Sequence, residues 1–143
     1  MAFPDRIERA VTLHRSPSEV WKALTTAEAL GAWFGERATI DLRPGGAATM
    51  TFEGGMTVDM RVERVEEPTV FAYTWRLPNL PETDPRRTYV EFTLEPDGDG
   101  TILHLVETGF AQLPVDIRRD TFVSHGEGWS RELSELSAYV DGA

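Results

Sequence analysis

Glu107 and His125 are the two side chains whose types and setting could do chemistry. Glu107 continues the parity of Leu103 and Leu105 in the alternating run Thr101 to Thr108, so its carboxylate is expected to point inward among apolar neighbours. A carboxylate held there must find a partner or raise its pKa. His125 stands one turn before Trp129, at the edge of an apolar helical stripe, and is the candidate partner. Such a pair could orient a polar group on a ligand or act as acid and base on it, with Tyr73 a third catalytic candidate. Both groups lying solvated near a cavity mouth is the plainer alternative, and the residues alone leave the two open. His14 and His104 have the outward parity of their strands. Three scattered histidines without matched spacing make no metal site, and no phosphate loop, dinucleotide fingerprint or nucleophile elbow is present, so neither metal nor cofactor is expected.

The elements that must position these groups are legible in the spacing. Val115 to Val140 reads as one long amphipathic helix, its stripe Phe122, Gly126, Trp129, Leu133, Leu136 and Val140 advancing in alternating steps of four and three. The opposite face is polar, with Arg119, Arg131, Glu132 and Glu135. Glycine costs roughly 1 kcal/mol against alanine in a helix interior, so Gly126 and Gly128 beside Trp129 suggest that the missing atoms leave room for a cavity.

Upstream, Ile7 to His14 alternates as a half-buried strand. Ser16-Pro17-Ser18-Glu19 then sets up a helix start with Val20, Trp21 and Leu24 buried, and Thr25 or Thr26 recaps a second short helix that ends near Gly35. Six strands follow, approximately Arg37 to Leu42, Ala47 to Phe52, Thr57 to Val65, Val70 to Arg76, Arg87 to Glu95 and Thr101 to Thr108, separated by Gly, Pro and Asp turn residues. The longer connection Leu77 to Arg86 carries three prolines and reads either as a flap over a cavity mouth or as an irregular hairpin loop. The order β-α-α, six strands, α predicts an α+β fold, with a curled seven-stranded antiparallel sheet around a long C-terminal helix of about 26 residues, roughly 39 Å.

Composition narrows the functions. The 143 residues are expected to form a single domain over 1–143, and cysteine is absent, which removes disulfides, thiolate nucleophiles and cysteine zinc sites. A net charge of −10 repels nucleic acid and anionic lipid, and no apolar run is long enough to span a bilayer. The expectation is a cytoplasmic protein without nucleic-acid binding or membrane insertion.

Val20-Trp21-Lys22-Ala23-Leu24-Thr25, Leu30-Gly31-Ala32-Trp33-Phe34, Tyr73-Thr74-Trp75, Thr108-Gly109-Phe110 and Gly128-Trp129 with Leu133, Leu136 and Tyr139 follow one another over nearly the whole chain. In this order they resemble the domain family named for the activator of the heat-shock chaperone ATPase. That family lies within the helix-grip (SRPBCC) superfamily of START lipid-transfer domains, the birch-pollen allergen and polyketide cyclases. The resemblance implies a hydrophobic cavity between sheet and long helix, with the short helices closing one end. Strand parity puts Val58, Met60, Val62, Phe71, Tyr73, Trp75, Val90, Phe92, Leu94, Leu103, Leu105 and Glu107 on the face toward it. The expected ligand-binding set is Trp33, Phe34, Met60, Tyr73, Trp75, Phe92, Leu105, Glu107, Phe122, His125 and Trp129. Three functions fit: a monomeric or homodimeric carrier of a small, largely apolar molecule such as a lipid, polyketide or aromatic metabolite; a cyclase, dehydratase or hydrolase using the same cavity; or a protein-interaction module that binds a chaperone.

Overall fold

A computed structural model describes residues 5–142. The elements run β1 (Arg6–Leu13), α1 (Pro17–Thr25), α2 (Ala27–Trp33), β2 (Arg37–Ile40), β3 (Ala47–Thr51), β4 (Thr57–Glu66), β5 (Val70–Arg76), β6 (Arg87–Asp97), β7 (Gly100–Thr108) and α3 (Val115–Asp141), with a short helical turn at Phe110–Gln112. The expected order is therefore found, with the turn after β7 as an addition.

Local chemistry explains the boundaries. Ser16 Oγ accepts from the Glu19 amide at 3.3 Å and caps α1, with Pro17 in its first turn. Thr26 serves two helices at once: its hydroxyl donates to the Lys22 carbonyl at 2.8 Å and accepts from the Ala29 amide at 3.3 Å. β2 stops at Ile40, two residues earlier than expected, because Asp41 begins the turn to β3 and its amide bonds the Ala47 carbonyl at 2.9 Å. β6 runs on to Asp97, since the paired Asp97 and Gly100 need only Gly98 and Asp99 between them, and Gly98 takes φ 59°.

All seven strands join in one antiparallel sheet, β1-β7-β6-β5-β4-β3-β2. Closing strand β1 pairs with β7 rather than with its sequence neighbours, so the meander β2 to β7 is finished by the first strand of the chain. The inner face is apolar and buried along β4 to β7, with Val62, Phe71, Val90, Leu103 and Leu105 excluded from solvent. Helix α3 lies on that face and buries Thr121, Gly126, Trp129, Leu133, Leu136 and Val140 against it. Phe122, expected at the head of this stripe, is only half-buried and packs edge-on to Phe110 in the helical turn, ring centres 5.3 Å apart. Among the described residues no helix is long and apolar enough to cross a membrane.

Candidate ligand cavity and its buried carboxylate

Sheet register brings the polar centre together. Trp75 on β5 is paired with Thr88 on β6, and Val90, two residues beyond Thr88 on the same face, is paired with Glu107 on β7. Trp75, Thr88 and Glu107 therefore share one inner corner of the sheet. Helix α3 supplies the rest, because His125 and Trp129, four residues apart, stand one above the other over that corner.

Glu107 is 0 % exposed and accepts from every side. Oε2 takes the Thr88 hydroxyl at 2.6 Å and the Trp75 indole N–H at 3.0 Å; Oε1 takes the Trp129 indole N–H at 2.8 Å. His125 Nδ1 lies 2.9 Å from both oxygens. Burial pushes the Glu107 carboxyl up, and the hydrogen bond and charge of His125, with the Thr88 and Trp129 donors, outweigh it and hold the pKa below its ordinary value. Of the two outcomes expected for an inward carboxylate, it has found partners. An ionised carboxylate only accepts, so the Nδ1 proton belongs to the histidine and Nε2 is the ring nitrogen left to meet other groups.

His125 carries the centre to the outside. Its side chain is 18 % exposed and forms part of the wall of a cavity of about 920 Å³ that opens between α3, the end of α2, the β3–β4 hairpin and the β5–β6 connection. Five aromatic residues contribute to that wall: Trp33, Phe34, Phe52, Trp75 and Trp129. Phe34 stacks on Trp33 (5.0 Å) and on Trp129 (5.5 Å), Trp129 stacks on Trp75 (5.6 Å), and Phe34 meets Trp75 at 5.9 Å with a 35° tilt, so the rings form one mutually packed cluster. The proline-rich connection forms one side through Pro78 and Asn79, and Asn79 ties it to α3 by donating to the Thr121 hydroxyl at 2.7 Å.

Of the expected ligand set, Trp33, Phe34, Trp75, His125 and Trp129 are brought together on this wall. Met60, Tyr73, Phe92 and Leu105 lie instead in the packed interior, where Tyr73 meets Trp75 at 5.2 Å and Phe92 meets Trp129 edge-on at 5.9 Å. Glu107 sits behind the wall and is reached through His125; Phe122 is turned toward Phe110. The Tyr73 hydroxyl has no hydrogen-bond partner among the described residues, and burial, then the charges of Glu107 and Glu132, push its pKa well up.

Gly126 corrects the sequence reading. A Cβ there would meet Arg9 Nη2 at 3.2 Å, and that guanidinium donates to the Gly126 carbonyl at 3.1 Å, so this glycine lets β1 and α3 approach closely and opens no cavity. Gly128 does line the cavity, and a Cβ there would meet only Arg131 Nη2, at 3.8 Å.

A second stripe explains the difference. Thr121, His125, Gly128, Glu132 and Glu135 repeat the steps of four and three, one residue behind the core stripe, and all five line the cavity. Glu132 and Glu135, read from sequence as the polar back of the helix, belong to this wall, as does Arg131. The signal that could have found it is Gly128, a glycine set among polar residues where a solvated face has no use for one. Glu132 is the unusual member. One oxygen lies 3.7 Å from Arg131 Nε, the other is buried without a partner among the described residues, and burial raises its pKa to about 6.

Fold and cavity define a class: an α+β helix-grip domain, a curled antiparallel sheet holding a long C-terminal helix, with a pocket at the sheet end. The model of the Activator of Hsp90 ATPase homolog 1-like protein family matches residues 14–141, and the chain belongs to that family. Among solved structures it is similar to protein MLL2253 from Mesorhizobium loti, with 24% identity, TM-score 0.83, and coverage of 96% of this chain and 98% of that one. CalU16 from Micromonospora echinospora is 26% identical with TM-score 0.71, over 94% of this chain and 75% of its own. DynU16, a protein of the dynemicin biosynthetic locus, is 20% identical with TM-score 0.79, over 95% of this chain and 47% of its own. No curated protein matches the chain.

Proposed function

We propose that the protein binds a small, largely apolar molecule in the cavity between α3 and the open end of the sheet, with His125 as a polar contact. The observation that carries this is the cavity itself, about 920 Å³ and walled by five aromatic residues, a size and lining suited to a metabolite-sized guest. The likeness in fold to a protein of a natural-product locus is in keeping with such a guest. A thermal-shift screen of neutral aromatic and lipid-like compounds tests it, because a ligand at 100 times its dissociation constant adds about 2.7 kcal/mol of stability. Binders that raise the native mass by one ligand and raise the melting temperature support the reading. A screen in which no apolar compound does either removes it.

A second reading, an enzyme using the same cavity, is favoured by one observation: the bond from His125 Nδ1 to the ionised Glu107. A carboxylate behind an imidazole fixes its tautomer, which leaves Nε2 as a proton acceptor for a bound molecule. Glu107 is then a positioning residue and His125 the group that meets substrate. On this reading Glu107→Gln lowers kcat and shifts the pH profile, with KM little changed, whereas turnover that ignores the substitution rejects it.

A further inference from the structure

The three tryptophans of the cavity wall give their polar edges to the protein. Trp33 Nε1–H donates to the Ala23 carbonyl at 2.7 Å, Trp75 Nε1–H is shared between the Thr88 hydroxyl at 2.9 Å and Glu107 Oε2 at 3.0 Å, and Trp129 Nε1–H goes to Glu107 Oε1 at 2.8 Å. An indole has one donor and no acceptor, so all three are spent. With Phe34 and Phe52 they offer a guest only carbon.

His125 is the ring in this wall that keeps a polar atom unspent. Its Nδ1 is held 2.9 Å from both Glu107 oxygens, and its plane stands edge-on to Trp75 and to Phe110, with ring centres 5.9 and 5.6 Å away. Turning the ring over would set a carbon against the carboxylate and lose that bond. Nε2 makes no hydrogen bond to any described residue, and it is not one of the side-chain atoms shut away from solvent without a partner. One turn earlier on the same face, Thr121 already takes the Asn79 amide at 2.7 Å. The ring wall therefore presents one open nitrogen in a surface of carbon.

The sign of that nitrogen follows from its partner. With the Nδ1 proton directed at the ionised Glu107, the neutral imidazole has no second proton, and Nε2 can only accept. Such a site favours a guest that brings an O–H. The same body without one strips water from the acceptor and returns nothing.

We infer that the cavity selects a neutral, hydroxyl-bearing apolar molecule, an aromatic or aliphatic alcohol, whose O–H donates to His125 Nε2 while its body lies against the ring wall. This rests on the ligand-binding reading above and names the class of ligand. Gly128, three residues on, leaves the helix surface beside the histidine bare and gives the body room. Glu107 touches no guest, yet it sets the preference by fixing which nitrogen is left open.

Three probes with one ring system test this: naphthylethanol, its methyl ether and ethylnaphthalene, titrated into the full chain at about pH 8, above the ordinary histidine range. The ether is bulkier than the alcohol and the hydrocarbon smaller, so size cannot mimic the expected order. The alcohol is expected to bind about tenfold more tightly than either, as one added hydrogen bond allows. In His125→Phe, which keeps a ring beside Trp75 and Phe110, that preference is lost and the hydrocarbon binds at least as well as the alcohol. A second measurement needs no variant. In wild-type protein carrying nitrogen-15 histidine, Nε2 of His125 is expected to resonate as an unprotonated nitrogen and to move toward the protonated position with naphthylethanol, but not with ethylnaphthalene. Equal or tighter binding of the ether or the hydrocarbon overturns the inference and leaves the cavity reading standing. So does an alcohol preference that survives His125→Phe, or an Nε2 that carries a proton in the free protein. Failure of all three probes in the wild-type chain overturns both.

Discussion

Two glutamates in one small region titrate in opposite directions, and the reason is their donors. Glu107 is enclosed by two indoles, a hydroxyl and an imidazole; Glu132 has a distant guanidinium and one oxygen with no donor among the described residues. Glu107 therefore titrates below its ordinary 4.5 and Glu132 above it, at about 6. The signs for stability follow. A depressed carboxyl contributes stability that is present above its unfolded pKa and lost as pH falls through the folded one, so Glu107→Gln costs roughly 3 kcal/mol at neutral pH by breaking a buried pair. Urea unfolding should show that cost shrinking as the pH drops below about 4.5. A raised carboxyl works in reverse: the fold disfavours the ionised form of Glu132, so stability is lost as pH rises from about 4.5 to about 6. Glu132→Gln is accordingly expected to melt higher than wild type at neutral pH, with the difference closing on acidification. A lower melting temperature for that variant at neutral pH would contradict this sign and show that the ionised Glu132 supports the fold.

At the scale of elements, α3 carries two stripes offset by one residue, and they differ in how far the sequence exposes them. The core stripe through Trp129, Leu133 and Leu136 is legible because apolar side chains at steps of four and three have one meaning. The cavity stripe is written in Thr, His, Gly and Glu, which is also how a solvated face is written, so Glu132 and Glu135 read as the helix back. Inward parity of Glu107 was legible, since a strand alternates strictly; His125 at the stripe's edge was a candidate partner, and the 2.9 Å contact that joins the two depends on how far α3 sits above the strand. The interior placement of Tyr73 and Phe92 was not separable from a place on the cavity wall, because both positions bury an aromatic on the same sheet face, and only the height of α3 above each strand decides between them. Strand ends were clear where Gly or Pro punctuated them; the helical turn at Phe110–Gln112 has no period long enough to see.

The two glycines of α3 give this difference a measurable form. Gly128→Ala meets nothing nearer than 3.8 Å and gains helix propensity, so urea unfolding should show it more stable by up to about 1 kcal/mol. Gly126→Ala presses on Arg9 Nη2 at 3.2 Å and is expected to gain less or to destabilise. Equal gains at both positions would mean that β1 does not hold α3 as closely as the Arg9 contact requires.

For the molecule as a whole, the sheet supplies a rigid inner face and the core stripe of α3 closes most of it, so the hollow is confined to the sheet end where α2, the β3–β4 hairpin and the proline-rich connection meet the helix. A guest bound as proposed would lie beside the core rather than within it, with the aromatic cluster as core on one side and wall on the other. The central claim is that this hollow is a binding site entered over Gly128. Calorimetric titration of naphthylethanol into wild-type protein and into Gly128→Leu tests it most directly. The account predicts a saturable, one-to-one isotherm for wild type and none for the variant, with both proteins folded and melting within a few degrees of each other. An identical isotherm for the two, or none for wild type, contradicts it.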